Sequence, residues 1–178
     1  MLHERTVRHV AVVGLGSNLG DRLAFLQGAI DALARSPGLE IDAVSPIYET
    51  DPVGPPQPRF LNAALRVRTD LDPEALVDRL LAVELAHGRV RREKWGPRTL
   101  DLDLLAVWDP STGALVSHAS PRVQVPHPAL LARAFALAPL LDVAPELAPR
   151  WGAALRALGG IPPRAGDSQR IVVPGRHR

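Results

Sequence analysis

The order strand, helix, two strands, helix, strand predicts an α+β protein with a ferredoxin-like βαββαβ core, an antiparallel sheet flanked by helices. Three observations carry that prediction. Two segments place apolar residues at helical spacing between recognisable start and stop signals. Four others are short apolar or alternating runs of strand length, in the right order around them. The 178 residues, 46% hydrophobic and 22% charged, suit one compact core, so residues 1–178 are expected to form a single domain with C-terminal additions.

Val10 to Leu15 is a short apolar run containing Gly14 and followed by Gly16, and it reads as a buried strand. Asp21 opens a helix with Leu23, Leu26, Ile30 and Leu33 on one face, stopped by Ser36-Pro37-Gly38. Ile41 to Tyr48 reads as a second strand. Pro52, Pro55, Pro56 and Pro58 then preclude helix or inner strand and predict a stiff loop. Phe60 to Arg68 returns to alternation, with Leu65 and Val67 opposed to Arg66 and Arg68.

The second helix is marked at both ends. Asp72 fits an N-cap, Pro73 the first helical position, and Gly88 the place just past the end. Leu76, Val77, Leu80, Leu81 and Val83 form its core side. The polar stretch from Gly88 to Thr99 is long for a compact domain unless it has a function. Leu100 to Val107 is a strand, Val116 to Val125 a short hairpin, and Ala129 to Leu141 a helix interrupted by Pro139. Ala153 to Leu158 is a last helical piece. From Gly159 the Pro, Gly and Arg content suggests a loosely held tail over 159–178.

Composition narrows the function classes. The absence of Cys excludes disulfides, thiolate catalysis and Cys-ligated metals. Apolar runs are too short to span a membrane, and no signal-type run follows the charged N-terminus, so a cytoplasmic protein without a membrane partner is expected. The pI near 9.9 accompanies a net charge of only +2, because one Lys and one Tyr leave little to titrate below the arginine range. That balance is a weak pointer to a polyanion partner.

The strongest local signal is Leu100-Asp101-Leu102-Asp103-Leu104. Alternation puts both aspartates on one face of a strand and the leucines on the other. Paired carboxylates repel unless a cation lies between them, and magnesium binds through one or two carboxylates plus substrate phosphates. The alternative is a solvated strand face. The preceding stretch crowds Arg89, Arg91, Arg92, Lys94 and Arg98 around Trp95. Guanidinium forks match phosphate oxygens, so a metal-binding pair beside them suggests a triphosphate site; a surface loop binding RNA phosphates is the competing reading. Glu84 falls on the core side of its helix, in the last turn where the dipole disfavours an anion, and so needs a partner. Gly14-Leu15-Gly16-Ser17-Asn18-Leu19-Gly20 has the wrong spacing for a dinucleotide fingerprint and reads as a tight turn. His127 lies in a rigid Pro-His-Pro loop and, with Arg133, could touch phosphates.

Arg89-Val90-Arg91 followed by Trp95-Gly96-Pro97-Arg98-Thr99-Leu100-Asp101-Leu102-Asp103 resembles the signature of the 6-hydroxymethyl-7,8-dihydropterin pyrophosphokinases, enzymes of folate biosynthesis. Gly16-Ser17-Asn18-Leu19-Gly20, Tyr48-Glu49-Thr50, Phe60-Leu61-Asn62-Ala63, Val125-Pro126-His127 and Ala144-Pro145-Glu146-Leu147 occur in that family's order, and the resemblance covers about residues 10 to 150. It implies transfer of pyrophosphate from ATP to the pterin's hydroxymethyl group, with release of AMP. It further implies that Asp101 and Asp103 hold two Mg2+ ions and that Arg89, Arg91 and Arg98 stabilise the moving charge. Glu84, Trp95, His127 and Arg133 would bind ATP. Phe60 and Phe135 would sandwich the pterin, with Asn62, Thr50 and the backbone around Val53 on its edge. Small-molecule substrates, no nucleic acid and a monomer are the expected partners and state. An RNA-binding module of the same sheet order lacks its stacking aromatics here, since the chain has three Trp, three Phe and one Tyr.

Overall fold

The structure, a computed structural model, describes residues 8–88 and 98–175. Strand β1 spans His9–Ser17, helix α1 Arg22–Ala34, β2 Leu39–Val44, β3 Tyr48–Thr50 and β4 Phe60–Thr69. Helix α2 spans Pro73–Ala86 and β5 Asp101–Trp108, followed by a hairpin of β6 (His118–Ala119) and β7 (Gln124–Val125). Helices α3 (Ala134–Val143) and α4 (Ala148–Ala157) complete the fold. The main sheet runs β2-β4-β1-β5, with β3 also on β4, and every pairing is antiparallel. This is the α+β sheet that the element order predicts.

Local chemistry explains the helix ends. The Asp21 carboxylate accepts from the Ala24 N–H at 3.0 Å and the Asp72 carboxylate from the Ala75 N–H at 2.8 Å. Each satisfies an N–H that the first helical turn leaves unpaired, a contribution of about 1 kcal/mol. Gly88, at φ +75, accepts the left-handed turn that ends α2.

Alternation divides the strands between two cores. Ala11, Val13, Leu15, Leu61, Leu65, Leu102 and Leu104 pack with Leu26, Ile30 and Leu33 of α1 and Leu76 and Leu80 of α2. Val10, Val12, Tyr48, Ala64, Ala106 and Trp108 pack with Leu137, Leu140 and Val143 of α3 and with Trp151 of α4. The two helices of the βαββαβ unit thus share one face, and α3 and α4 cover the other.

Four expectations change. The run from Ile41 to Tyr48 is two strands, parted at Ser45-Pro46-Ile47, where proline cannot donate to a ladder. Pro139 lies inside α3 without interrupting it; the helix is held by its buried Leu137, Ala138, Leu140 and Val143 rather than by an unbroken set of backbone bonds. Helix α4 begins at Ala148, before the expected Ala153. Residues after Gly159 are tied to the sheet: the Glu49 N–H donates to Pro163 O at 3.1 Å and the Ala165 N–H to Ile47 O at 2.9 Å. Gln27 holds both the carbonyl and the N–H of Val172, at 2.7 and 2.8 Å.

Candidate active site

The face under α3 changes character toward the Ser17 end of β1. Gly14 and Gly16 replace Val10 and Val12, and the register sets Gly16 beside Asn62 of β4 and Asp101 of β5. A Cβ at Gly16 would stand 3.2 Å from Asn62 Oδ1, 3.6 Å from Phe60 and 3.9 Å from Asp101 Cβ. Glycine therefore keeps open the floor of a cavity of about 850 Å³. Gly14 and Gly16 thus lie within a strand, where their lack of a side chain leaves space, and Gly20, at φ +67, makes the turn from β1 into α1.

One end of this cavity is aromatic and amide-lined. Thr50, Val53, Phe60, Asn62 and Phe135 line it. Asn62 Nδ2 donates to Thr50 Oγ1 at 2.6 Å, which fixes the amide and leaves its carbonyl oxygen on the Gly16 side. The Arg133 guanidinium sits 5.6 Å from the Phe135 ring centroid, a cation–π distance. Such walls suit a flat, polar-edged ring.

The other end is charged. Asp101 accepts from Arg98 Nη1 at 2.8 Å. Asp103 keeps 37% of its side-chain surface open, against 18% for Asp101. Partial withdrawal from water raises the Asp103 carboxyl above the usual aspartate range, the Asp101 charge and Glu84 push the same way, and Arg133 and Arg98 oppose them. His127 Nε2 lies 3.9 Å from Asp103. The Ala129 N–H donates to His127 Nδ1 at 3.1 Å, so the neutral ring carries its proton on Nε2, toward Asp103. Burial lowers the His127 pKa, Arg133 adds to that, and Asp101 opposes it.

A second groove, of about 910 Å³, shares Arg98, Asp101, Asp103 and His127 with the first cavity and continues past Leu81, Gln124 and Pro128. Glu84 lines its inner wall and is 2% exposed. Its carboxylate accepts from the Leu102 N–H at 2.8 Å. One partner that its position called for is thus the backbone of β5, between the two aspartates. Among the described residues no group of three or more His, Asp or Glu side chains forms a metal cage. Two carboxylates on one wall fit magnesium, a cation that retains water and takes its remaining ligands from phosphates.

Every candidate residue within the described segments lines one of these two cavities: Thr50, Val53, Phe60, Asn62 and Phe135 the first, Glu84 the second, and Arg98, Asp101, Asp103 and His127 both, with Arg133 in the first. Arg89, Arg91 and Trp95 lie outside the described residues. One residue given no role from sequence is Asn18, only 2% exposed. Its Nδ2 donates to Gln57 Oε1 and Pro58 O, both at 2.9 Å, and its Oδ1 accepts from the Arg98 N–H at 2.8 Å. It therefore ties the proline-rich loop to the arginine stretch. The signal was a short amide side chain at a strand exit, where such groups bond backbone.

A sequence profile of the 7,8-dihydro-6-hydroxymethylpterin-pyrophosphokinase (HPPK) family matches residues 12–145. The 2-amino-4-hydroxy-6-hydroxymethyldihydropteridine pyrophosphokinase of Synechocystis sp. is 45% identical over 145 residues, covering 81% of this chain and 71% of that protein. The enzyme of the same name from Pseudomonas aeruginosa is 48% identical over 136 residues, covering 76% of this chain and 80% of that protein. Among solved structures, a Plasmodium falciparum HPPK-DHPS triple mutant aligns at a TM-score of 0.54 and 14% identity over 79% of this chain. The present chain spans 41% of that one, and at this identity the likeness concerns the fold alone.

Proposed function

The chain belongs to the 7,8-dihydro-6-hydroxymethylpterin-pyrophosphokinase family, and on that premise we propose that its two adjoining cavities hold the two substrates of one reaction. The reaction is transfer of pyrophosphate from ATP to the hydroxymethyl group of 6-hydroxymethyl-7,8-dihydropterin, with release of AMP, in folate biosynthesis. The observation that carries the site assignment is the shared wall: Arg98, Asp101, Asp103 and His127 border both cavities, so molecules bound in each would meet there.

In this reading Phe60 and Phe135 flank the pterin ring. Thr50, Asn62 and the backbone at Val53 bond its edge, which directs the hydroxymethyl oxygen toward the shared wall. ATP occupies the second groove, with Glu84 at its inner wall. The Nε2–H of His127 and the Arg133 guanidinium meet its phosphates, while Arg98, with Arg89 and Arg91, stabilises charge as the β-phosphorus changes partners. Trp95 contributes to ATP binding. Asp101 and Asp103 would hold two Mg2+ ions, which when bound neutralise phosphate charge and favour in-line displacement. We read the enzyme as a monomer that works in the cytoplasm on small molecules, without nucleic acid. No helix among the described residues is long and apolar enough to cross a membrane.

The test is an AMP assay. AMP should form from ATP only when hydroxymethyl-dihydropterin and Mg2+ are both supplied. AMP release with the pterin omitted, or none with all three components present, would contradict the assignment.

A further inference from the structure

Strand β3 has three residues, yet it carries Thr50 into the first cavity and leads directly into Asp51 and Val53. It is separated from β2 by Ser45-Pro46-Ile47, so it inherits no rigidity from that strand. On one side it pairs with β4 in the register Tyr48↔Asn62 and Thr50↔Phe60, which places it against two further residues of the same cavity. On its other side lies the C-terminal segment. Arg164 forms a bridge with Tyr48, flanked by the bonds from Glu49 N–H to Pro163 O and from Ala165 N–H to Ile47 O. The Arg164 guanidinium lies 5.8 Å from the Tyr48 ring centroid, and the Tyr48 hydroxyl donates to Asp142 of α3.

The segment then crosses the sheet edge to the opposite face. Ala165, Ile171 and Val173 pack against the core that contains α1, and the Gln27 side chain holds Val172 by both backbone groups. It is thus fastened at α4, at β3 and at α1. The family profile ends at residue 145, so the match does not account for it.

We propose that residues 159–175 act as a strap that positions the pterin side of the active site, by supplying β3 with its second row of backbone bonds. Without it β3 would be a three-residue edge strand held from one side, and Thr50, with the Asn62 amide it fixes, would sample several positions. The strap is a positioning element: among the described residues, none of 159–175 lines either cavity. The proposal rests on the reading of the first cavity as the pterin site.

Two full-length variants test it. Ala165→Pro removes the N–H that bonds Ile47, and Gln27→Ala releases Val172 at the far end. Each should raise the KM and Kd for the dihydropterin about tenfold, leave the KM for ATP and kcat within about twofold of wild type, and speed amide hydrogen exchange at Glu49 and Thr50. Ala165→Ser, which keeps the N–H, should behave as wild type. Unchanged pterin affinity in both variants, or equal weakening of pterin and ATP, overturns the strap; if Ala165→Pro fails to fold, Gln27→Ala decides alone. If the wild-type protein bound no dihydropterin, the cavity assignment would fail, and hydrogen exchange at β3 in Gln27→Ala would still judge the strap.

Discussion

The two faces of the sheet are built from alternate residues of the same strands, yet they do different work. Toward α1 and α2, β5 presents Leu102 and Leu104, β4 presents Leu61, Ala63 and Leu65, and β1 presents Ala11, Val13 and Leu15, all at most 5% exposed. Toward the cavity the same strands present Asp101 and Asp103, Phe60 and Asn62, and Gly14 and Gly16. Away from β5, where Leu102 and Leu104 also border the second groove, the dry face obeys packing, and its cost of error is a void. The open face places a carboxylate pair, of which Asp101 is held by Arg98, and a floor of glycine beside open space. A rigid apolar layer thus fixes the backbone from which the candidate site side chains project, one residue away on each strand.

The largest effect on ligand binding expected on the open face is from Phe135→Ala. Loss of an aromatic wall should weaken dihydropterin binding by roughly 30-fold, about 2 kcal/mol, while calorimetry finds ATP binding retained. Equal loss of both ligands would mean that the ring supports the fold rather than the pterin. Gly16→Ala should act more mildly. Its new methyl, 3.2 Å from Asn62 Oδ1, requires the amide to shift by a few tenths of an ångström, and we expect the pterin KM to rise about tenfold with little change in melting temperature. A fall in stability with unchanged KM would place Gly16 with the packing face.

The smallest effect lies outside both faces. Glu74 of α2 accepts from Ser120 and lies 3.0 Å from His118 Nε2, and so holds the β6–β7 hairpin that leads to His127. The Ser120 hydroxyl, then His118, hold its carboxyl below the usual glutamate range. A lowered folded-state pKa means this stabilisation is complete at neutral pH and is lost as pH falls through that value. Hairpin amides should therefore lose protection against exchange, relative to their intrinsic rates, as pH falls below the usual glutamate range, and Glu74→Gln should remove that pH dependence. An unchanged exchange profile would show the hairpin to be held by its apolar contacts alone.

The comparison also shows how much could be read from residues. The Asp-Leu-Asp-Leu alternation revealed the two faces of β5, because side-chain direction follows from a period of two. Asp72, Pro73 and Gly88 located α2 because caps are local chemistry. Other features depended on partners far along the chain. The register shift between Val12 and Val13 leaves Leu105 unpaired, so Leu105 and Ala106 join the same core and the simple alternation fails there. The tail looked loose because its bonds go to Ile47, Glu49 and Gln27, more than a hundred residues away. Of the site, the acidic pair, Glu84 and the two phenylalanines were found by anomaly or by family likeness. Asn18 lacked an assigned role because its three partners converge only in the folded chain.

The most direct test compares the two faces of the sheet. AMP release and thermal stability would be measured side by side for Asp103→Asn on β5 and for Leu65→Ala on β4, a fully buried residue that borders neither cavity. Asp103→Asn should lower turnover by roughly 10³-fold and keep or raise the melting temperature, since the amide removes a like charge beside Asp101. Leu65→Ala should cost about 3 kcal/mol of stability and keep near-normal turnover per folded molecule. Near-wild-type AMP release by Asp103→Asn would contradict the assignment of this face to catalysis.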